Sequence, residues 1–153
     1  MANTQAFCNS AKVDLMNAEF ALGDTGQTRG AVTKDVLNSA LYLVTATIDK
    51  NTTVYTATGE VSGTNYVAGG VIVTTATPPA LDGDVAWFQP SASIVFTNVT
   101  LAVAFDATLI YNDSHATKYA LSVHTFGSQT VTAGDFTLTM PTGDGTTGLI
   151  RLA

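Results

Sequence analysis

From residue 37 to residue 152 the chain is a succession of short β-rich runs with no helical rhythm between them. In the first run Leu41, Leu43, Thr45 and Thr47 alternate with Tyr42, Val44, Ala46 and Ile48, a period of two that sends successive side chains to opposite faces of an extended strand. Comparable runs occupy 71–75, 85–89, 92–99, 102–111, 119–126, 135–140 and 149–152. Turn residues separate them: Thr77-Pro78-Pro79, Gln89-Pro90, Asn112-Asp113-Ser114, Ala133-Gly134 and Pro141-Thr142-Gly143. Roughly eight short strands at a spacing of about 8–12 residues predict an all-β fold, an antiparallel β-sandwich of jelly-roll type. A parallel α/β fold would need helices between the strands, and the pattern offers none.

Only the amino-terminal segment departs from this pattern. Phe7, Ala11 and Leu15 recur every four residues and predict one short helix. The polar, glycine-rich stretch from Gly23 to Gly30 then reads as a loop or arm. The expected organisation is an amino-terminal helix and arm over 1–30 and a single β-sandwich domain over 31–153. A chain of 153 residues is long enough to bury ~70% of its unfolded surface. Residues 49–70 spread Val54, Tyr55, Val61, Tyr66 and Val67 among Thr, Ser, Asn and Gly. We read this segment as a long, partly structured excursion and a candidate contact surface.

Composition narrows the function classes. Charged residues are 12% of the chain against 46% hydrophobic, so uncharged polar groups must cover the surface, and 26 threonines supply most of them. Six Lys and Arg against twelve Asp and Glu give a net charge of -6, the wrong sign for holding a phosphate backbone. Nucleic acid is therefore not an expected partner. The single cysteine, Cys8, forbids an internal disulfide. No apolar run approaches the ~20 residues of a membrane-spanning helix, and Met1-Ala2-Asn3-Thr4-Gln5 has neither the basic nor the apolar region of a secretion signal.

Motifs that carry chemistry are sparse. Gly143-Asp144-Gly145-Thr146-Thr147-Gly148 matches a bare G-x-G-x-x-G, but only five residues follow it, too few for the helix that must face a pyrophosphate; it reads as a hairpin loop. Ser122 and His124 share one strand face, and with Asp106 they would form a nucleophile and base only if the three converge. The two histidines and Cys8 lack zinc-ligand spacing. Asp82, Asp84 and Asp144 would suit calcium if their loops met, and read more simply as solvated loop acids. Cys8 reads as a buried apolar residue. Trp87-Phe88 reads as a strand-end aromatic pair, with a sugar-stacking platform as the alternative. No catalytic, cofactor or metal site is expected, and the chain is not expected to be an enzyme.

Three groups of residues carry a family resemblance: Ala6-Phe7-Cys8-Asn9-Ser10; Gly59-Glu60-Val61-Ser62-Gly63-Thr64-Asn65-Tyr66 with Ala68-Gly69-Gly70; and Phe126-Gly127-Ser128-Gln129-Thr130-Val131 with Phe136-Thr137-Leu138-Thr139-Met140-Pro141. Together they resemble a family of small structural proteins from tailed-bacteriophage virions. The resemblance implies a capsid decoration, or cement, protein on the outer shell. Its partners would be the major capsid protein and further copies of itself, as a symmetric dimer or trimer; a tail or head-completion role is the alternative within the same family, and a carbohydrate-binding sandwich outside it. The expected contact regions are 1–30 and 49–70, with Phe7, Phe20, Tyr55 and Tyr66 as candidate interface anchors, because buried aromatic anchors dominate many interfaces.

Overall fold

A computed structural model describes residues 3–8, 10, 11, 20, 22, 34–75 and 79–152. The described residues form eight strands: β1 (Ala6–Phe7), β2 (Leu37–Leu43), β3 (Val71–Val73), β4 (Ala80–Asp82), β5 (Val85–Phe88), β6 (Ile94–Asn112), β7 (Ala120–Leu138) and β8 (Ile150–Leu152). They make two antiparallel sheets, one of five strands in the order β1-β7-β6-β2-β3 and one of three in the order β4-β5-β8. The fold is all-β and sandwich-like, as the alternation predicts. Phe88 and Ile150 of the small sheet belong to the same buried cluster as Leu41, Leu109 and Val123 of the large one.

Strand boundaries differ from the expectation in instructive places. The runs 92–99 and 102–111 are one strand, β6, and 119–126 and 135–140 are one strand, β7; each is 19 residues long. Ala133-Gly134 is therefore not a turn. The hairpin instead bends where Asn98 (φ 49°) and Ala133 (φ 46°) leave extended geometry, and the register slips between Phe96 and Leu101. Side chains replace the lost ladder bonds there: Ala133 N donates to Thr100 Oγ1 at 3.0 Å and Asn98 N to Asp135 Oδ1 at 2.7 Å. These are β-bulges whose polar groups are satisfied locally.

β2 ends at Leu43, short of the expected Ile48, because Ala46 N folds back onto Leu43 O and Val44 N turns to Ala104 O. Ala46 and Ile48 are buried nonetheless. β4 is an addition to the expected strands: of Asp82-Gly83-Asp84, read as a possible calcium loop, Asp82 ends β4 and pairs with Val85, and Gly83-Asp84 is a two-residue hairpin loop with Gly83 at φ 57°, the geometry that favours glycine there.

At the amino terminus the correction concerns Phe7. Phe7 lies in β1, opposite Ser122, and not on a helix. Cys8 N continues the pairing to Leu121 O, so the ladder of β7 overrides the four-residue rhythm. Ser10 and Ala11 have helical backbone; Leu15 and the stretch 23–30 lie outside the described residues. Asn3 ties this segment to the body, its amide donating to Leu43 O at 3.1 Å and Asp106 Oδ1 at 2.6 Å while its Oδ1 accepts from Ile48 N at 3.1 Å. No helix among the described residues is long and apolar enough to cross a membrane.

Candidate functional site

The 49–70 excursion is a packed layer. Beyond the end of β3 it takes over the open edge of β2, with Leu43 N donating to Gly59 O and Val61 N to Leu41 O. Gly70 (φ 78°) must be glycine because a side chain there would strike the backbone of Ser39. Its centre is Glu60, whose carboxylate accepts Tyr55 Oη at 2.6 Å, Tyr66 Oη at 2.7 Å and Gly69 N at 2.7 Å. Tyr66 Oη also accepts Leu41 N, and Tyr42 and Tyr111 donate to the carbonyls of Thr56 and Gly69. Tyr55 stacks on Tyr111 with centroids 4.7 Å apart. Burial, and the bonds to Glu60 that require the phenol form, push the Tyr55 and Tyr66 hydroxyls well above the usual tyrosine range.

Two of the four expected anchors, Tyr55 and Tyr66, thus have their hydroxyls engaged within the chain. Phe7 is half-buried against the core, and Phe20 is only 7% exposed. Phe20 differs from the other three in lining an open apolar pocket of about 240 Å³ with Leu22, Ala86, Phe88, Ile150 and Leu152. That pocket runs onto the small sheet, where Leu81 faces Ala86 and Ala86 faces Leu152 in direct register. Leu81 is 72% exposed and Leu152 50%, so an apolar stripe crosses all three strands beside the pocket.

Ser122 and His124 do meet, with Ser122 Oγ 2.9 Å from His124 Nε2. Among the described residues no carboxylate bonds to the imidazole, and Asp106 is engaged by Asn3. His124 lines clefts of about 690 and 540 Å³ between the large sheet and the turn leading to β8. Desolvation there pulls its pKa down to about 4, so at neutral pH the ring is uncharged. The pair lacks the carboxylate that would orient the base of a triad.

Two of the three acidic loop residues, Asp82 and Asp144, are engaged locally. Asp82 Oδ2 accepts Gly145 N at 3.0 Å. Asp144 Oδ1 accepts the backbone and hydroxyl groups of Thr146 and Thr147, which hold its carboxyl down to about 2. No cluster of three or more His, Cys, Asp or Glu suited to a metal occurs among the described residues. The Cys8 thiol is fully buried, and desolvation pushes it up to about 12, which makes it a poor nucleophile. Trp87 is half-buried, its indole directly over Gly143, where any side chain would collide with the ring.

Sequence reasoning missed Asn3, Glu60 and the Leu81–Ala86–Leu152 stripe. Gly-Asp at 83–84 was the available signal for the last, since a two-residue hairpin loop there pairs Asp82 with Val85 and so Leu81 with Ala86. Comparison with family models, curated proteins and solved structures finds no match to this chain.

Proposed function

We propose that the chain is a virion structural protein of a tailed bacteriophage, a decoration or cement protein that binds the outer capsid surface as a symmetric homo-oligomer and works without catalysis. The observation that carries this reading is the exposed Leu81–Ala86–Leu152 stripe bordering the Phe20 pocket. An exposed apolar patch on a sheet, rimmed by polar and charged residues such as Asp82, Asp84 and Arg151, suits protein contact. The threonine-rich surface supports uncharged, hydrogen-bonded contacts at low desolvation cost, and the virion-family resemblance supplies the partner. Binding at many equivalent capsid sites would stabilise a shell by mass action and multivalency.

The test is co-sedimentation with purified capsids stripped of this protein, followed by electron cryomicroscopy. Wild-type chain is expected to saturate the outer surface. Leu81→Asp with Leu152→Asp is expected to remain folded and to bind at least about tenfold more weakly, the loss of ~1.4 kcal/mol or more of contact energy. Density confined to the tail or neck, or undiminished capsid binding by the double variant, would overturn the reading.

A further inference from the structure

We infer that the groove between the large sheet and the turn leading to β8 binds a small amphipathic carboxylate, its head held by Arg151, His124 and Gln5 and its hydrocarbon body laid against Phe126, Phe136 and Leu138. This goes beyond capsid attachment and does not depend on it, since none of Leu81, Ala86 and Leu152 lines the groove.

The clefts of about 690 and 540 Å³ share four lining residues, Gln5, His124, Leu149 and Arg151, and are therefore two chambers of one groove that meet at those side chains. Each falls within the roughly 300–1,000 Å³ usual for small-molecule sites. The polar groups at the meeting point are left free by the fold. His124 commits Nε2 to Ser122 Oγ at 2.9 Å, while its Nδ1 has no partner among the described residues and is not sealed in protein. Arg151 donates from Nη1 to Thr146 O at 2.6 Å, which fixes the guanidinium on the turn and leaves Nε and Nη2 for a ligand. The Gln5 side chain is exposed beside them. Polar residues elsewhere in the lining are already engaged within the chain: Thr108 donates to Ala40 O, and Thr146 and Thr147 bond to Asp144.

The chemistry of these groups selects the ligand. The chain has twelve acidic residues against six basic ones. Among the described residues, nevertheless, no Asp or Glu lines either cleft, and Arg151 is the only charged side chain there apart from the titratable His124. Desolvation keeps His124 neutral, so it serves as a hydrogen-bonding group and not as a second cation. A single guanidinium with no carboxylate bonded to it suits a monoanion, and its free Nε–Nη2 edge matches the two oxygens of a carboxylate. With the Ser122 hydroxyl donating to Nε2, Nδ1 carries the ring proton and offers it to the same head group. Beyond the meeting point the larger cleft is walled by Ile94, Ile110, Phe126, Phe136, Leu138 and Met140. An acid without an apolar body would leave that wall in water and gain nothing from it. Apolar walls with a few convergent polar groups are the usual make-up of a small-ligand site.

Isothermal titration calorimetry of the purified chain at neutral pH tests this with octanoate, using acetate as the head alone and octanol as the body alone. Octanoate is expected to bind once per chain with a Kd of about 1 mM or below, and acetate and octanol at least about tenfold more weakly. Arg151→Gln gives up only the bond to Thr146 O. It should keep the wild-type circular dichroism spectrum, leave octanol unchanged and weaken octanoate at least about tenfold. Nuclear magnetic resonance of the wild type, which needs no variant, should show the His124 imidazole signals moving with octanoate and saturating along the calorimetric curve. No saturable binding up to about 10 mM, undiminished octanoate affinity in the folded Arg151→Gln chain, or His124 signals that stay fixed through saturation would overturn the inference. Octanol binding as tightly as octanoate would remove the carboxylate from it, and acetate or inorganic phosphate binding as tightly would remove the apolar wall; either result sinks it.

Discussion

The β6–β7 hairpin has two halves built from one continuous ribbon, and they behave as different materials. In the half nearest the turn, Phe105–Asn112 against Ala120–Val123, nearly every residue is buried, because β2, the tyrosine layer around Glu60 and the small sheet cover it. In the far half, Ile94, Phe96, Val99 and Leu101 are buried while Val95 and Val103 on the same strand are exposed. The partner strand there is exposed at alternate positions or throughout. The bulges at Asn98 and Ala133 lie in this second half. Strand structure thus runs the whole length of the ribbon, but the open half is bulged and out of register as well as less covered; stability belongs to the covered half and surface chemistry to the open one.

Four measurements sharpen or break that contrast. Leu109 is wholly buried in the covered half, and Leu109→Ala should cost about 3–4 kcal/mol in urea unfolding. A cost below about 1 kcal/mol would show that the covered half is loosely packed.

Next in size is an acid effect at His124, beside the junction of the halves. The fold holds its imidazole neutral: the group titrates near 6.5 when unfolded and at about 4 when folded. Stability from this source is thus complete above pH ~6.5 and falls as the pH drops toward 4, by about 3 kcal/mol. His124→Gln should flatten this dependence, read as unfolding free energy at pH 7, 5 and 4.

Third, Glu60→Ala deprives two tyrosine hydroxyls and one backbone N–H of their acceptor. It should cost about 2 kcal/mol and increase exchange of the Gly69 amide. An unchanged midpoint would mean that the layer over the covered half is held by ring packing alone.

The smallest effect belongs to the open half, where Val103 is 60% exposed. Val103→Thr should shift stability by no more than about 0.5 kcal/mol. A larger loss would reveal a contact across this face.

The same contrast explains what was legible beforehand. Alternation reports only that side chains fall on two faces, so it located the core segments of β2, β6 and β7 correctly. Within 92–111, where β6 runs unbroken through Thr97–Thr100, the polar interruption looked like a gap between strands because the bulge hides polar residues in a continuous ladder. At the amino terminus a helical spacing of Phe7, Ala11 and Leu15 was outweighed at Phe7 by the hydrogen bonds offered by β7. Tyr55 and Tyr66 stand out in the sequence as candidate interface anchors, but spacing carries no information on whether a ring turns outward or toward its own sheet. Glu60, the acid that turns both inward, stands among polar residues with nothing local to mark it.

The sequence by itself determined the all-β class, the antiparallel arrangement and the burial of Cys8, because period-two alternation, turn residues and the scarcity of charge act locally or through composition. Tertiary structure alone decided which edges close. β3, the 59–61 segment and β1 each cover a limited stretch of strand, and Leu81, Ala86 and Leu152 become one stripe only when residues about 70 apart in the chain come into register. Those are long-range pairings, fixed by which backbone donors remain unsatisfied after the rest of the chain has packed.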